Sequence, residues 1–158
     1  MRPPSAKLGS AAVLAFLLST GCSLAFQRPT LTVAEVRLAS MGLTGGTLAV
    51  RLEVANPNRY AIECRDFSYS LAFGDGASPE PSWTTLAEGR LPEAVRVPAG
   101  ETGTVEVAVP FDLSALGTAL GRLLRQGELE YRFSGELLAG TPLGAKRIPF
   151  DQRGLFRP

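Results

Sequence analysis

The stretch Gly46-Thr47-Leu48-Ala49-Val50-Arg51-Leu52-Glu53-Val54-Ala55-Asn56-Pro57-Asn58 decides how the rest of the chain is read. Leu48, Val50, Leu52 and Val54 alternate with Thr47, Ala49, Arg51 and Glu53, the two-residue period of a strand with one face in a core and the other in water. The alternation stops at Asn56-Pro57-Asn58. Pro57 has no amide to donate and keeps Asn56 extended, while Asn58 tolerates the left-handed backbone of a turn, so the strand is ended by its own chemistry.

Working outward, Leu31 and Val33 share one parity and Val36 and Leu38 the other, which predicts a bulge at Ala34-Glu35 that keeps both pairs inward. Leu43-Thr44-Gly45-Gly46 reads as the turn of a hairpin into the central strand. Beyond Asn58, Tyr60 and Ile62 lead to Phe67, Tyr69, Leu71 and Phe73 on one face, an aromatic wall opposite Ser68, Ser70 and Ala72. Gly74-Asp75-Gly76 turns the chain and Ser78 to Ser82 extends the turn before Trp83, which reads either as a cap over one end of the core or as a binding anchor. Pro92 to Gly100 is expected to be a loop, and Val105, Val107 and Val109 another half-buried strand.

One segment has helical spacing. Asp112 or Ser114 is placed to cap it, and Leu116, Leu120, Leu123 and Leu124 recur until Gly127. Its apolar stripe would cover an open end or edge of the sheets; a helix lying on a membrane or a partner is the alternative, with Arg122 and Arg125 as its basic residues. Leu129, Tyr131, Phe133 and Leu137 then alternate with Glu128, Glu130, Arg132 and Glu136, and Gly140-Thr141-Pro142 turns into Lys146 to Phe150. About seven short strands, one short helix and no βαβ alternation predict an all-β, antiparallel β-sandwich of the immunoglobulin or fibronectin type III kind.

Composition narrows the chemistry. With 158 residues, 45% hydrophobic and 20% charged, the chain has material for one folded domain and is not a disordered polyelectrolyte. Without Arg2 and Lys7 of the leader the balance is 14 basic to 15 acidic residues, a net of −1, which favours neither nucleic acid nor an acidic surface as partner. Histidine is absent, so the commonest general base and the commonest nitrogen ligand for zinc are missing. Gly140 to Lys146 has the wrong spacing for a phosphate loop, and Pro142 removes an amide such a loop would need. No catalytic residue, metal, cofactor or small-molecule substrate is expected.

The central strand followed by Asn56-Pro57-Asn58 resembles the signature of the type 2 late embryogenesis abundant proteins, the WHy domain. Other landmarks follow in the same order: a Pro-led strand from Pro29 to Leu38, the aromatic strand from Phe67 to Phe73, a Gly-containing strand from Leu86 to Leu91 and a Val-Pro-Ala-Gly turn at Val97 to Gly100. After them come the Val-rich strand from Thr104 to Phe111, a short helix after Asp112, Gly-x-Leu-x-Tyr-x-x-x-Gly at Gly127 to Gly135, and Ile148-Pro149-Phe150 with Gly154. The resemblance implies a folded sandwich without enzymatic activity that serves tolerance of desiccation. Two readings of Asn56, Pro57 and Asn58 stand: asparagines bonded to loop backbone that fix the strand exit, or a ligand or partner site presenting exposed, unsatisfied amides.

Residues 1–22 read as an export signal, with Arg2 and Lys7 before the apolar run Leu8 to Leu18 and Ser19-Thr20-Gly21-Cys22 at its end. The Gly-Cys junction resembles a bacterial lipobox, with Ser19 where an aliphatic residue is usual. By that resemblance Cys22 is lipidated and becomes the first residue of the mature chain, residues 23–28 form a tether, and residues 29–158 form the domain. Several buried acyl chains give stable anchoring, and Ser23 after the cysteine resembles outer-membrane sorting, so a periplasm-facing outer-membrane lipoprotein is expected. Cys64 is then left without a partner and reads as a small core residue. The expected partners are the membrane, through the anchor, and stress-exposed envelope proteins as clients; the alternative is a structural or adaptor lipoprotein holding a partner in an envelope complex.

Overall fold

A computed structural model describes residues 25–76 and 81–157. Its strands are β1 (Thr30–Met41), β2 (Gly45–Ala55), β3 (Ile62–Gly74), β4 (Trp83–Leu91), β5 (Val95–Val97), β6 (Thr102–Asp112), β7 (Leu129–Thr141) and β8 (Gly144–Phe156). Helices α1 (Leu113–Leu116) and α2 (Thr118–Gln126) lie between β6 and β7. One sheet has the order β1-β2-β6; the other has the order β4-β3-β7-β8, with the short β5 also paired to β3. All pairings are antiparallel. The two layers form the expected all-β sandwich.

The central strand behaves as its alternation requires. Leu48, Val50, Leu52 and Val54 are buried, and Arg51 and Glu53 point to solvent. Ala49 departs from the pattern: it is buried on the outer face, opposite Arg37 and Ala108, where the Arg37–Glu106 ion pair reaches across β2. The bulge falls between Val33 and Glu35 as the parity switch demands, and a second register shift follows between Leu38 and Ser40.

The facing sheet supplies the aromatic wall. Phe67 stacks on Phe150 at 5.1 Å between centroids, and Phe133 lies 5.7 Å from both Tyr69 and Phe150. Such pairs contribute about 0.5–1.5 kcal/mol each beyond their area. Gly135 stands between Tyr69 and Phe150 in the register, and a Cβ there would meet Phe150 Cζ at 2.7 Å and the carbonyl of Ser68, so the glycine admits the ring.

Two local expectations change. The helical segment is broken in two at Gly117, whose φ of +48° interrupts the α conformation, and the cap at Asp112 makes no side-chain hydrogen bond. Ser114 lies inside α1 rather than at its cap. Leu116 is buried and Leu123 packs on the core, but Leu124 is 79% exposed, because the break turns α2 away from a single continuous stripe. Secondly, the loop expected from Pro92 to Gly100 contains β5, recruited by pairing of Ile62, Glu63 and Cys64 with Val97, Arg96 and Val95.

Candidate functional site

The two ends of the sandwich differ in kind. One end carries the start of β1, the end of β2, the Asn56–Ala61 loop, the turn before β6 and the β7–β8 hairpin. The other carries the β1–β2 hairpin, the two helices and the end of β8.

At the first end, Asn56 and Asn58 are each 2% exposed and Pro57 is exposed. Asn56 Nδ2 donates to the carbonyls of Tyr60 at 2.8 Å, Val97 at 3.2 Å and Pro98 at 2.9 Å. Asn56 Oδ1 accepts from the backbone N–H of Asn58 at 3.1 Å and from Asn58 Nδ2 at 2.9 Å. One carboxamide therefore ties the strand exit to its own loop and to the turn after β5, joining the two sheets.

Asn58 faces the other way. Its Oδ1 accepts from the Gln27 N–H at 2.7 Å and its Nδ2 donates to the Gln27 carbonyl at 2.7 Å. A primary amide presents one donor and one acceptor side by side, so it can serve both polar groups of one backbone residue as a neighbouring strand would. Around this pair Phe26 packs on the core, Pro29 is buried and Arg28 Nη2 donates to the Pro149 carbonyl at 3.1 Å. Residues 26–28, read from sequence as part of a free tether, are thus held against the domain. The carboxamides of Asn56 and Asn58 are satisfied within the protein, and neither offers an open amide to solvent. Close by, the Tyr60 hydroxyl is buried without a partner.

Cys22, the lipidation candidate, lies outside the described residues. Cys64 is a buried free thiol whose pKa burial pushes up to about 11, the opposite of the depression that makes a nucleophile. Among the described residues no three His, Cys, Asp or Glu side chains are grouped to hold a metal ion. The Arg132 guanidinium beside Asp151 holds that carboxyl below its usual range, in an exposed pair.

The opposite end carries most of the exposed large hydrophobic side chains among the described residues, beside charged ones such as the Arg157–Glu128 ion pair. Met41 is 55%, Leu43 99%, Leu124 79% and Leu155 54% exposed there, while Leu143 on the β7–β8 hairpin is the exposed large hydrophobic at the asparagine end among the described residues. Behind Met41 lies a cavity of about 50 Å³ lined by aliphatic and aromatic side chains, including Leu48, Phe111, Leu116 and Phe156. It is too small for more than a few methylene groups in this conformation. Trp83 is half-buried at this end, with Arg153 5.2 Å over its ring, so a cation occupies the face a binding anchor would present. Reading the sequence missed this gathering because Leu43 looks like a turn residue and Leu124 looks like part of the helix's buried stripe; an apolar residue inside a glycine-flanked turn was the available signal.

The family model for late embryogenesis abundant protein, type 2, matches residues 51–154, from the buried half of β2 to the end of β8. The chain belongs to the type 2 late embryogenesis abundant family. Solved structures share the family's fold at low identity. A solution structure from Arabidopsis thaliana is 18% identical with a TM-score of 0.65, covering 85% of this chain and 84% of that one. A crystal structure of an Archaeoglobus fulgidus protein is 13% identical with a TM-score of 0.56, covering 82% and 98%. A third, a solution structure described as a late embryogenesis abundant protein, is 18% identical with a TM-score of 0.52, covering 82% and 71%. No curated protein matches the sequence. In this type 2 family member the Asn-Pro-Asn signature joins β2, the turn after β5 and the segment leading into β1 at one point.

Proposed function

We propose that this protein is a lipid-anchored, extracytoplasmic type 2 late embryogenesis abundant domain that has no catalytic activity and protects proteins or membrane through surface contact during water loss. Cys22 carries the acyl anchor, and the domain sits in the cell envelope on the periplasmic side of the outer membrane. The observation that supports contact rather than chemistry is the gathering of Met41, Leu43, Leu124 and Leu155 at one end of a sandwich whose single described thiol is buried and protonated. Exposed apolar side chains on a rigid scaffold suit transient cover of apolar segments that a drying protein exposes. The rest of the surface is charged in both signs, which keeps the domain soluble as water activity falls.

The test is a drying assay. A labile enzyme is dried and rehydrated with the mature domain, with an inert folded protein of equal mass, or with the double variant Leu43→Ser, Leu124→Ser. Protection by the wild type, lost in the variant at unchanged thermal midpoint, is the expected result. Protection no better than the inert control overturns the reading. A stoichiometric partner retained in fully hydrated cells would instead support the adaptor role.

A further inference from the structure

We infer that Asn58, oriented by Asn56, is a clasp for the chain that arrives from the anchor, and that it makes the domain stand on the bilayer with its Asn-Pro-Asn end down and its apolar end away from the membrane. The inference rests on the proposed acylation of Cys22. It assigns a role to the signature beyond ending a strand, and it names the lipid headgroup layer as the partner of one end of the sandwich.

The argument begins with the geometry of the clasp. A segment that only trailed from the domain would have its backbone bonded to water. Gln27 instead has both its N–H and its carbonyl bonded at 2.7 Å to one side chain, and that side chain is itself 2% exposed and bonded to Asn56. Phe26 packs on the core on one side of Gln27, and the Arg28 guanidinium is bonded to the β8 backbone on the other. The lead-in is therefore fixed in position as far back as Phe26.

Chain length does the rest. From Phe26 back to Cys22 is four residues, which span at most roughly 14 Å when fully extended. The strands β3, β7 and β8 have 13 residues each, so the two ends of the sandwich are separated by about 40 Å at 3.3 Å per residue. An acylated Cys22 sits at the headgroup level, so the end it can reach is the end carrying Gln27, and the apolar end cannot be the anchored one. A domain that stands on the anchored end carries the apolar end away from the bilayer. Releasing the clasp would lengthen the free chain to roughly 24 Å, from Cys22 to the buried Pro29, which loosens the attitude without letting the anchor reach the far end.

The end brought down is suited to a headgroup layer. Leu143 projects from the β7–β8 hairpin, 53% exposed, on a turn closed by the Thr141 hydroxyl donating to the Gly144 carbonyl at 2.7 Å. Exposed Arg59, Arg96 and Lys146 lie on the segments of the same end, together with exposed Glu63 and Glu101. One apolar side chain among long basic ones matches an interface with phosphate groups, where the stems of Arg and Lys lie along apolar surface and their heads meet anions.

Two measurements separate the clasp from the anchor. Amide hydrogen exchange on the mature domain reads the clasp by itself: Gln27 N–H is expected to be protected in the wild type and to lose that protection in Asn58→Ala while the amides of β2 and β7 keep theirs. An unprotected Gln27 amide in the wild type overturns the clasp. The attitude is read on the full-length, acylated protein in phosphatidylcholine–phosphatidylglycerol vesicles, in a Cys64→Ala background, with single fluorophores at Leu143→Cys or Leu43→Cys and a headgroup-attached quencher. Quenching severalfold stronger at position 143 than at 43 is expected, with the ratio reduced in Asn58→Ala and falling toward equality when a ten-residue Gly/Ser insert is placed between Ser23 and Leu24, which leaves the domain untouched. Equal quenching at the two positions in a wild type that floats with the vesicles overturns the attitude alone. A wild type that does not float overturns the anchor, and the bilayer as partner with it.

Discussion

Replacing Asn56 by Ala tests whether one carboxamide holds the Asn-Pro-Asn end together. The substitution removes an NH2 group whose two hydrogens are shared among three carbonyls, and an oxygen that accepts two hydrogen bonds. The bonds to the Val97 carbonyl and from the Asn58 N–H are buried, and a group left buried without its partner costs about 1–3 kcal/mol. The carbonyls of Tyr60 and Pro98 are partly buried and regain water, so they add less. The expected loss is about 3–5 kcal/mol, a fall in thermal midpoint of roughly 10–20 °C for a domain of this size. Asn58→Ala is expected to cost only about 1–2 kcal/mol, since Gln27 is an exposed residue whose peptide groups regain water. The double variant should fall short of the sum by about 1 kcal/mol, because the 2.9 Å Asn58–Asn56 bond is counted in both singles. Urea unfolding with linear extrapolation measures all three. An Asn56→Ala variant within about 1 kcal/mol of wild type, or one no worse than Asn58→Ala, would refute the reasoning. Asn56→Asp sharpens it: the new carboxyl turns an acceptor toward three carbonyls, so its folded pKa lies above the unfolded one. The folded form then binds more protons, and the deficit relative to wild type is smallest in acid and grows as pH rises between the two values.

Other expectations follow from single groups. Tyr60→Phe removes a buried hydroxyl that has no partner, and is expected to leave stability unchanged or raise it by up to about 1 kcal/mol; a clear loss by urea unfolding would mean that the hydroxyl is bonded. Cys64 has its thiol pushed up to about 11, so at pH 8 only about one molecule in a thousand carries a thiolate. Its reaction with an aromatic disulfide reagent should therefore be slow in the folded wild type and rapid in denaturant. Asp151 has a folded pKa lowered chiefly by its hydrogen bond from Arg132, so the pair's small contribution is complete above the ordinary carboxylate pKa and is lost as pH falls through the lowered one. Arg132→Gln should remove that small contribution at pH 7 and leave stability unchanged in strong acid, where Asp151 is protonated in both proteins, so the acid limb flattens only by the amount lost at neutral pH. A large loss at neutral pH would contradict the exposed placement of the pair.

The sequence alone determined the layers of this protein. The two-residue period of Leu48, Val50, Leu52 and Val54, and of Phe67, Tyr69, Leu71 and Phe73, assigns a buried face residue by residue, because a strand's alternation is a local property. The parity switch at Ala34 placed a bulge for the same reason, and Pro57 ended β2 by lacking an amide. The helix was legible only as one piece: a glycine inside an apolar repeat does not announce a φ of +48°, which is chosen by how α1 and α2 pack on the sheets. The partners of the two asparagines were beyond local reading, since Asn56 bonds a carbonyl 41 residues away and Asn58 a peptide 31 residues away. The end with the exposed leucines was beyond it too, because Leu43, Leu124 and Leu155 are brought to one end only by the pairing that sets the β1–β2 hairpin, α2 and the end of β8 at the same mouth of the sandwich. Local periodicity fixes which side of a strand is wet; only the packing of distant segments decides which side chains meet, and so which surface is left to make contact.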